Sequence, residues 1–299
     1  MECFAKVLRP WRLLLFLILL IPLRSFAAQN NLFYLSVIGI DETGFEDSDI
    51  KMKQMSFDAK GKLPIKRLES GVLLFAPSFS MIWLDFTNTE SAGISDKDFP
   101  DTLFSGELAL IYNHRYTDGW SATIRLAPGI KSDLEDIGEK DISKRAMGMV
   151  NKKFSNRASI GLGLAYADSF GSPQFFPLLK FNWVPFDTWI VSGVLPVNLT
   201  VEKQFSDNVK SGLSVEMVGG QYRMTEEAPW NDAVLNYRKA LIGPFVALKV
   251  SQKTWLEVSA GITASQKFEF KDKDDTDRII AERTPKNAAF IKAAYYFPF

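Results

Sequence analysis

The last twelve residues, Ala288-Ala289-Phe290-Ile291-Lys292-Ala293-Ala294-Tyr295-Tyr296-Phe297-Pro298-Phe299, decide the fold. Counting back in twos from Phe299 gives Phe297, Tyr295, Ala293, Ile291 and Ala289, all apolar. The other register, Pro298, Tyr296, Ala294, Lys292 and Phe290, is mixed. A period of two with one purely apolar face is a strand that turns that face away from water. Such a strand closes either a soluble sandwich or a barrel whose outer face meets lipid.

The start of the chain bears on the choice. Lys6, Arg9 and Arg12 precede an apolar run of eleven residues, Leu13 to Leu23, and Ser25-Phe26-Ala27 offers small residues at a cleavage site. A membrane-spanning helix needs about 20 apolar residues, so the run is too short to be one. Basic segment, short apolar run and small-residue site together predict a signal peptide over residues 1–27, removed on export. The remaining 272 residues hold no cysteine, since Cys3 is the only one, and so no disulfide. They carry 31 basic and 34 acidic residues, a net of −3, which argues against nucleic acid as a partner. No other apolar run reaches helix-spanning length, so any crossing must be made by strands.

Strands recur where a barrel needs them. Residues 32–40 and 50–59 are weakly patterned, and 69–87 is almost continuously apolar around Pro77. From Leu103 the alternation is clean: Phe104, Gly106, Leu108, Leu110 and Tyr112 oppose Ser105, Glu107, Asn113 and Arg115. Asp118-Gly119 then turns the chain into Trp120, Ala122, Ile124 and Leu126 opposite Ser121, Thr123 and Arg125. Further alternating segments occupy 143–154, 157–167, 174–183, 189–195, 197–205, 209–217, 239–250 and 254–268.

Three features favour lipid over a packed sandwich. Turns near 117, 155, 186, 207 and 252 are short, whereas the connections at 88–102, 129–142, 219–236 and 270–286 are long and charged. Outer-membrane barrels show this asymmetry, with the short ends periplasmic. Trp120, Trp183, Trp189 and Trp255 sit beside short turns, as an aromatic girdle at one interface requires, although Trp255 is out of phase with its strand's apolar face. The non-apolar face is small and polar, which suits a wet lumen. The expected fold is all-β: a closed antiparallel transmembrane barrel spanning residues 28–299, of fourteen strands, or of twelve if the first two leave the wall.

The plan resembles bacterial porin-like outer-membrane β-barrels, and Tyr295, Phe297 and Phe299 resemble the terminal assembly signal of that class. Within it, Phe175-Phe176-Pro177-Leu178, Trp183-Val184-Pro185, Trp189 and Leu195-Pro196 resemble a family of outer-membrane barrels catalogued only as a domain of unknown function. The resemblance implies outer-membrane lipids, lipopolysaccharide and the outer-membrane assembly machinery as partners, and brings no catalytic residue with it.

Residue chemistry adds little beyond a pore. His114 is the one histidine, beside a predicted periplasmic turn and without a serine next to it in sequence, and reads as a solvated or girdle residue rather than a catalytic one. One histidine and no cysteine cannot build a multi-histidine or thiolate zinc site, and no metal or other cofactor is expected. The polar face gathers Arg115, Arg125, Arg145, Arg157, Lys180, Lys210, Lys239 and Lys292 as candidate pore-lining cations. A basic lining favours anions, so the expectation is a passive pore for small solutes with mild anion preference. Two alternatives stand beside it: a carrier for apolar solutes, and a structural or adhesion barrel whose interior is closed by ion pairs.

Overall fold

A computed structural model describes residues 32–46, 48–89, 99–135, 137–169, 172–224, 233–272 and 279–297. The expected signal peptide (residues 1–27) and Phe299 lie outside them.

Alternating apolar side chains leave every strand with one face to hide, and closing the sheet on itself hides its edges as well. The strands are β1 (Leu32–Phe45), β2 (Ser48–Leu68), β3 (Gly71–Thr87), β4 (Thr102–Arg115), β5 (Trp120–Ser132), β6 (Ile142–Lys153), β7 (Ala158–Ser169) and β8 (Ser172–Phe186). They continue as β9 (Trp189–Leu195), β10 (Asn198–Ser206), β11 (Val209–Arg223), β12 (Val234–Ser251), β13 (Thr254–Lys271), β14 (Ile279–Arg283) and β15 (Ala289–Phe297). Consecutive strands pair antiparallel from β1 to β13, and β15 pairs with both β13 and β1, which completes the ring. Because β14 and β15 both lie against β13, fifteen strands fill fourteen wall positions.

The reading in which the first two strands leave the wall is thereby corrected. β1 is hydrogen-bonded to β2 on one side and to β15 on the other along most of its length. Four expected loops are also shorter than their sequence suggested, because strands run on into them. β11 continues through Gly219-Gly220 to Arg223, and a side chain at Gly219 (φ +124°) would meet the Tyr237 carbonyl oxygen at 2.1 Å. The glycine pair reads as a loop signal, yet here it brings β11 close against β12.

Above the bend, Arg223 bridges in parallel to Ser132 at the end of β5, and Asp133 N–H donates to the Arg223 carbonyl at 3.3 Å. The ring is therefore drawn in at its long-loop end. Both described termini and the turns after β2, β4, β6, β8, β10 and β12 lie at the opposite, short-turn end. β9 and β10 fall short of their neighbours: β9 has 7 residues and β10 has 9, against 15 each in the flanking β8 and β11.

Outward positions are apolar and exposed. Leu108, Leu126, Leu162 and Leu213 are 57%, 55%, 68% and 62% exposed, which in a protein without lipid would be a large unpartnered surface. No helix among the described residues is long and apolar enough to cross a membrane.

Candidate functional site: a divided lumen

Inward-facing residues split the barrel interior into three levels. At the long-loop end the interior is apolar and packed. Phe45 of β1, Met52 of β2, Leu103 of β4, Tyr222 of β11, Leu235 and Tyr237 of β12, and Phe268 and Phe270 of β13 are all buried in one cluster. Phe86 stacks on Phe99 at 4.5 Å between ring centres, and Phe268 meets Phe270 edge-on at 5.4 Å. Side chains contributed from β1 round to β13 therefore fill the space that the β5–β11 bridge narrows. This is a plug made by the wall itself.

Below the plug lies a belt of ion pairs. Glu107 of β4, 5% exposed, receives Arg125 of β5, and Arg145 Nε of β6 stands 3.0 Å from its other oxygen at an angle poor for a hydrogen bond. Lys292 of β15 pairs with Glu216 of β11 in this belt, whereas Lys210, the second residue of β11, pairs with Glu202 of β10 at 2.9 Å beside the short turns. Lys239 of β12 is buried at the edge of the plug, where it donates to Gln54 and to the Tyr237 hydroxyl, both uncharged.

The short-turn end is open. A cavity of about 470 Å³ is bounded by Asn113, Arg115, Thr123, Lys153, Arg157 and Lys180, with further asparagine and serine side chains between them. Arg157 pairs with Asp187 at the exposed rim. Among the described residues Arg115, Lys153 and Lys180 have no carboxylate partner. This vestibule is polar and cationic.

The eight candidate cations therefore do not form one free ring. Arg115, Arg157 and Lys180 line the vestibule, Arg125 and Arg145 share Glu107, Lys210 and Lys292 pair with Glu202 and Glu216, and Lys239 is sealed beside the plug. Trp120, Trp183 and Trp189 stand on the outer surface near short turns, 46%, 55% and 36% exposed. Lys152 lies 4.9 Å from the Trp120 ring, and Lys203 lies between Trp189 and Phe205 at 5.5 and 5.1 Å, each ammonium reaching from the outer face. Trp255 is the exception and a correction to the expected girdle. It points inward, 9% exposed, with Lys210 Nζ 4.9 Å from its ring, as its phase implied. Tyr295 and Phe297 lie on the outward register of β15, their rings edge-on at 5.8 Å.

His114 has a serine beside it that sequence adjacency did not reveal: the turn before Gly71 brings Ser70 Oγ to 3.4 Å from Nδ1. The Tyr112 hydroxyl approaches the same nitrogen at 3.0 Å. A hydrolytic triad sets the hydroxyl on one ring nitrogen and a carboxylate on the other, so two hydroxyls on Nδ1 form a polar cluster without that arrangement. No group of three or more metal-ligating side chains occurs among the described residues.

Sequence reasoning missed the plug. Its signal was the weak alternation of residues 32–59 and the almost continuously apolar stretch of 69–87, whose inward Ile82 and Leu84 join the plug while the other face is apolar as well.

A family model described as "Domain of unknown function (DUF6268)" matches residues 34–297. None of the curated proteins compared matches the chain. Among solved structures, the COG4313 outer membrane channel from Pseudomonas putida F1 shares 10% identity at a TM-score of 0.43, covering 90% of this chain and 96% of that one. The KdgM porin shares 9% identity at a TM-score of 0.35, covering 89% and 99%. The Pseudomonas putida toluene transporter TodX shares 9% at 0.36, covering 92% and 91%. Likenesses at this level say nothing about a solute.

Proposed function

This chain belongs to the DUF6268 family, and we propose that it is a channel of the bacterial outer membrane that rests closed, admits small solutes to its vestibule from the periplasm, and favours anions once open. The observation that carries this reading is the division of the lumen. A cavity bordered by Arg115, Lys153 and Lys180, which have no carboxylate partner among the described residues, attracts anions, and a packed aromatic cluster bars the axial way beyond it. The ion-pair belt between them is close to balanced and adds little selectivity of its own.

The test is a planar-bilayer measurement under a salt gradient. The unmodified protein gives no steady ion conductance, whereas Phe268→Ala with Phe270→Ala opens conducting steps whose reversal potential lies on the anion side. Large open steps from the unmodified chain overturn the closed state, and a cation-side reversal potential in the opened variant overturns the selectivity.

A further inference from the structure

Among the described residues the barrel wall has a gap beside β8 and β11. β9 and β10 form a hairpin that ends at Leu195 and Asn198, paired with Leu179 of β8 and Glu216 of β11 respectively. One further rung, Met217 N–H donating to the Val197 carbonyl at 2.9 Å, closes the pairing. Beyond it, β8 residues 172–178 have no β9 partner and β11 residues 218–222 have no β10 partner, and β8 and β11 do not pair with each other. Seven residues of β8 edge at roughly 3.3 Å each make a notch on the order of 20 Å along the strand.

Its depth is set by the register. Leu195 pairs with Leu179, and Leu179 with Leu162, the most exposed of the outward-facing Ile160, Leu162 and Leu164 on β7. The band ends above at Tyr166, whose ring meets Phe175 at 5.1 Å. The hairpin tip thus stands at the middle of the lipid-facing band, and the notch opens over its upper half. Three of the four tip residues are apolar, with Leu195 38% and Val197 44% exposed, and the fourth, Asn198, accepts from Val194 N–H through its Oδ1 at 2.9 Å.

Unpaired backbone edges are costly in lipid unless they line a space holding water or a solute. Behind the notch the inward faces of β6, β7 and β8 carry Met147, Met149, Ala165, Phe176 and Leu178, an apolar stretch on the short-turn side of Arg145, between that ion pair and the vestibule. Phe176 points inward yet is 40% exposed, so it faces space rather than packing.

We propose that this notch is a side door, through which small lipid-soluble molecules with an apolar body pass between the membrane and the lumen. The axial plug and the side door are compatible: a solute that arrives from the bilayer enters below the plug. The proposal stands on wall geometry alone and does not depend on anion selectivity.

Because residues 28–299 hold no cysteine, single cysteines can be placed without background in that segment. Phe176→Cys, Phe175→Cys (facing lipid) and Thr123→Cys (lining the vestibule) are purified as residues 28–299, reconstituted in vesicles and treated with pyrene-maleimide dissolved in the bilayer. Excess glutathione in the water consumes reagent that leaves the lipid. Phe176→Cys is expected to label within about tenfold of Phe175→Cys, while Thr123→Cys is protected by glutathione, since the notch joins lipid to the inner face at Phe176 and the vestibule around Thr123 opens to water. A ten-residue extension of the β9–β10 hairpin between Pro196 and Val197, five residues to each strand, carries the pairing with β8 past Phe176 and is expected to abolish labelling at Phe176→Cys and leave Phe175→Cys unchanged. Circular dichroism confirms that each variant is folded. Protection of Phe176→Cys to the level of Thr123→Cys, or labelling that survives the extended hairpin, overturns the door.

Discussion

Tyr237 on β12 donates its hydroxyl proton to the amide oxygen of Gln54 on β2, a residue 183 positions away in the chain. Lys239 Nζ donates to the same oxygen and, at 2.7 Å, to the Tyr237 hydroxyl. These strands stand four places apart around the ring, so the bonds tie two stretches of wall together beneath the plug. Gln54→Leu leaves a buried ammonium with one of its two partners and a phenol with no acceptor there. It is expected to lower the unfolding free energy by about 1–3 kcal/mol in a denaturant titration of the refolded protein. An unchanged midpoint contradicts the cross-tie.

Glu107 holds two arginines from neighbouring strands. Removing one partner of a fully buried pair costs about 3–5 kcal/mol, but Arg125 and Arg145 are 28% and 34% exposed and keep some hydration. Glu107→Gln is therefore expected to cost about 2 kcal/mol, and Glu107→Gln with Arg145→Gln to recover part of that loss. Equal losses in the single and double variants contradict the pairing.

The tryptophans divide by environment. In single-tryptophan variants carrying brominated lipid, fluorescence from Trp120, Trp183 and Trp189 is expected to be quenched, and that from Trp255 to be spared, because its ring lies inside the wall against Lys210. Quenching of Trp255 as strong as that of Trp183 places it on the outside and contradicts the assignment.

What could be read before folding follows the environment of each strand face. From β4 to β13, lipid on one side and water or ion pairs on the other produce a period of two that the residues display directly, and boundaries such as 189–195 emerge intact. β1 to β3 blur the pattern because their inward Ile50, Met52 and Leu84 feed the plug, and a strand hidden on both faces has no polar phase. The candidate cations were visible as residues on one face. Their neutralisation was not, since pairing Lys292 with Glu216 needs strands 76 positions apart to approach across the lumen. The notch was likewise invisible: the shortness of β9 and β10 means little until the register fixes which level of the wall they fail to reach.

The account as a whole requires that the outward leucines face hydrocarbon. Leu162, 68% exposed on β7 at mid-band, is the position at which to ask. Measured by reversible unfolding from lipid vesicles, Leu162→Arg is predicted to lose about 2–4 kcal/mol, the cost of a cation at the bilayer midplane. A change within about 0.5 kcal/mol, ordinary for a solvent-exposed surface position, would place that face in water and contradict the barrel described here.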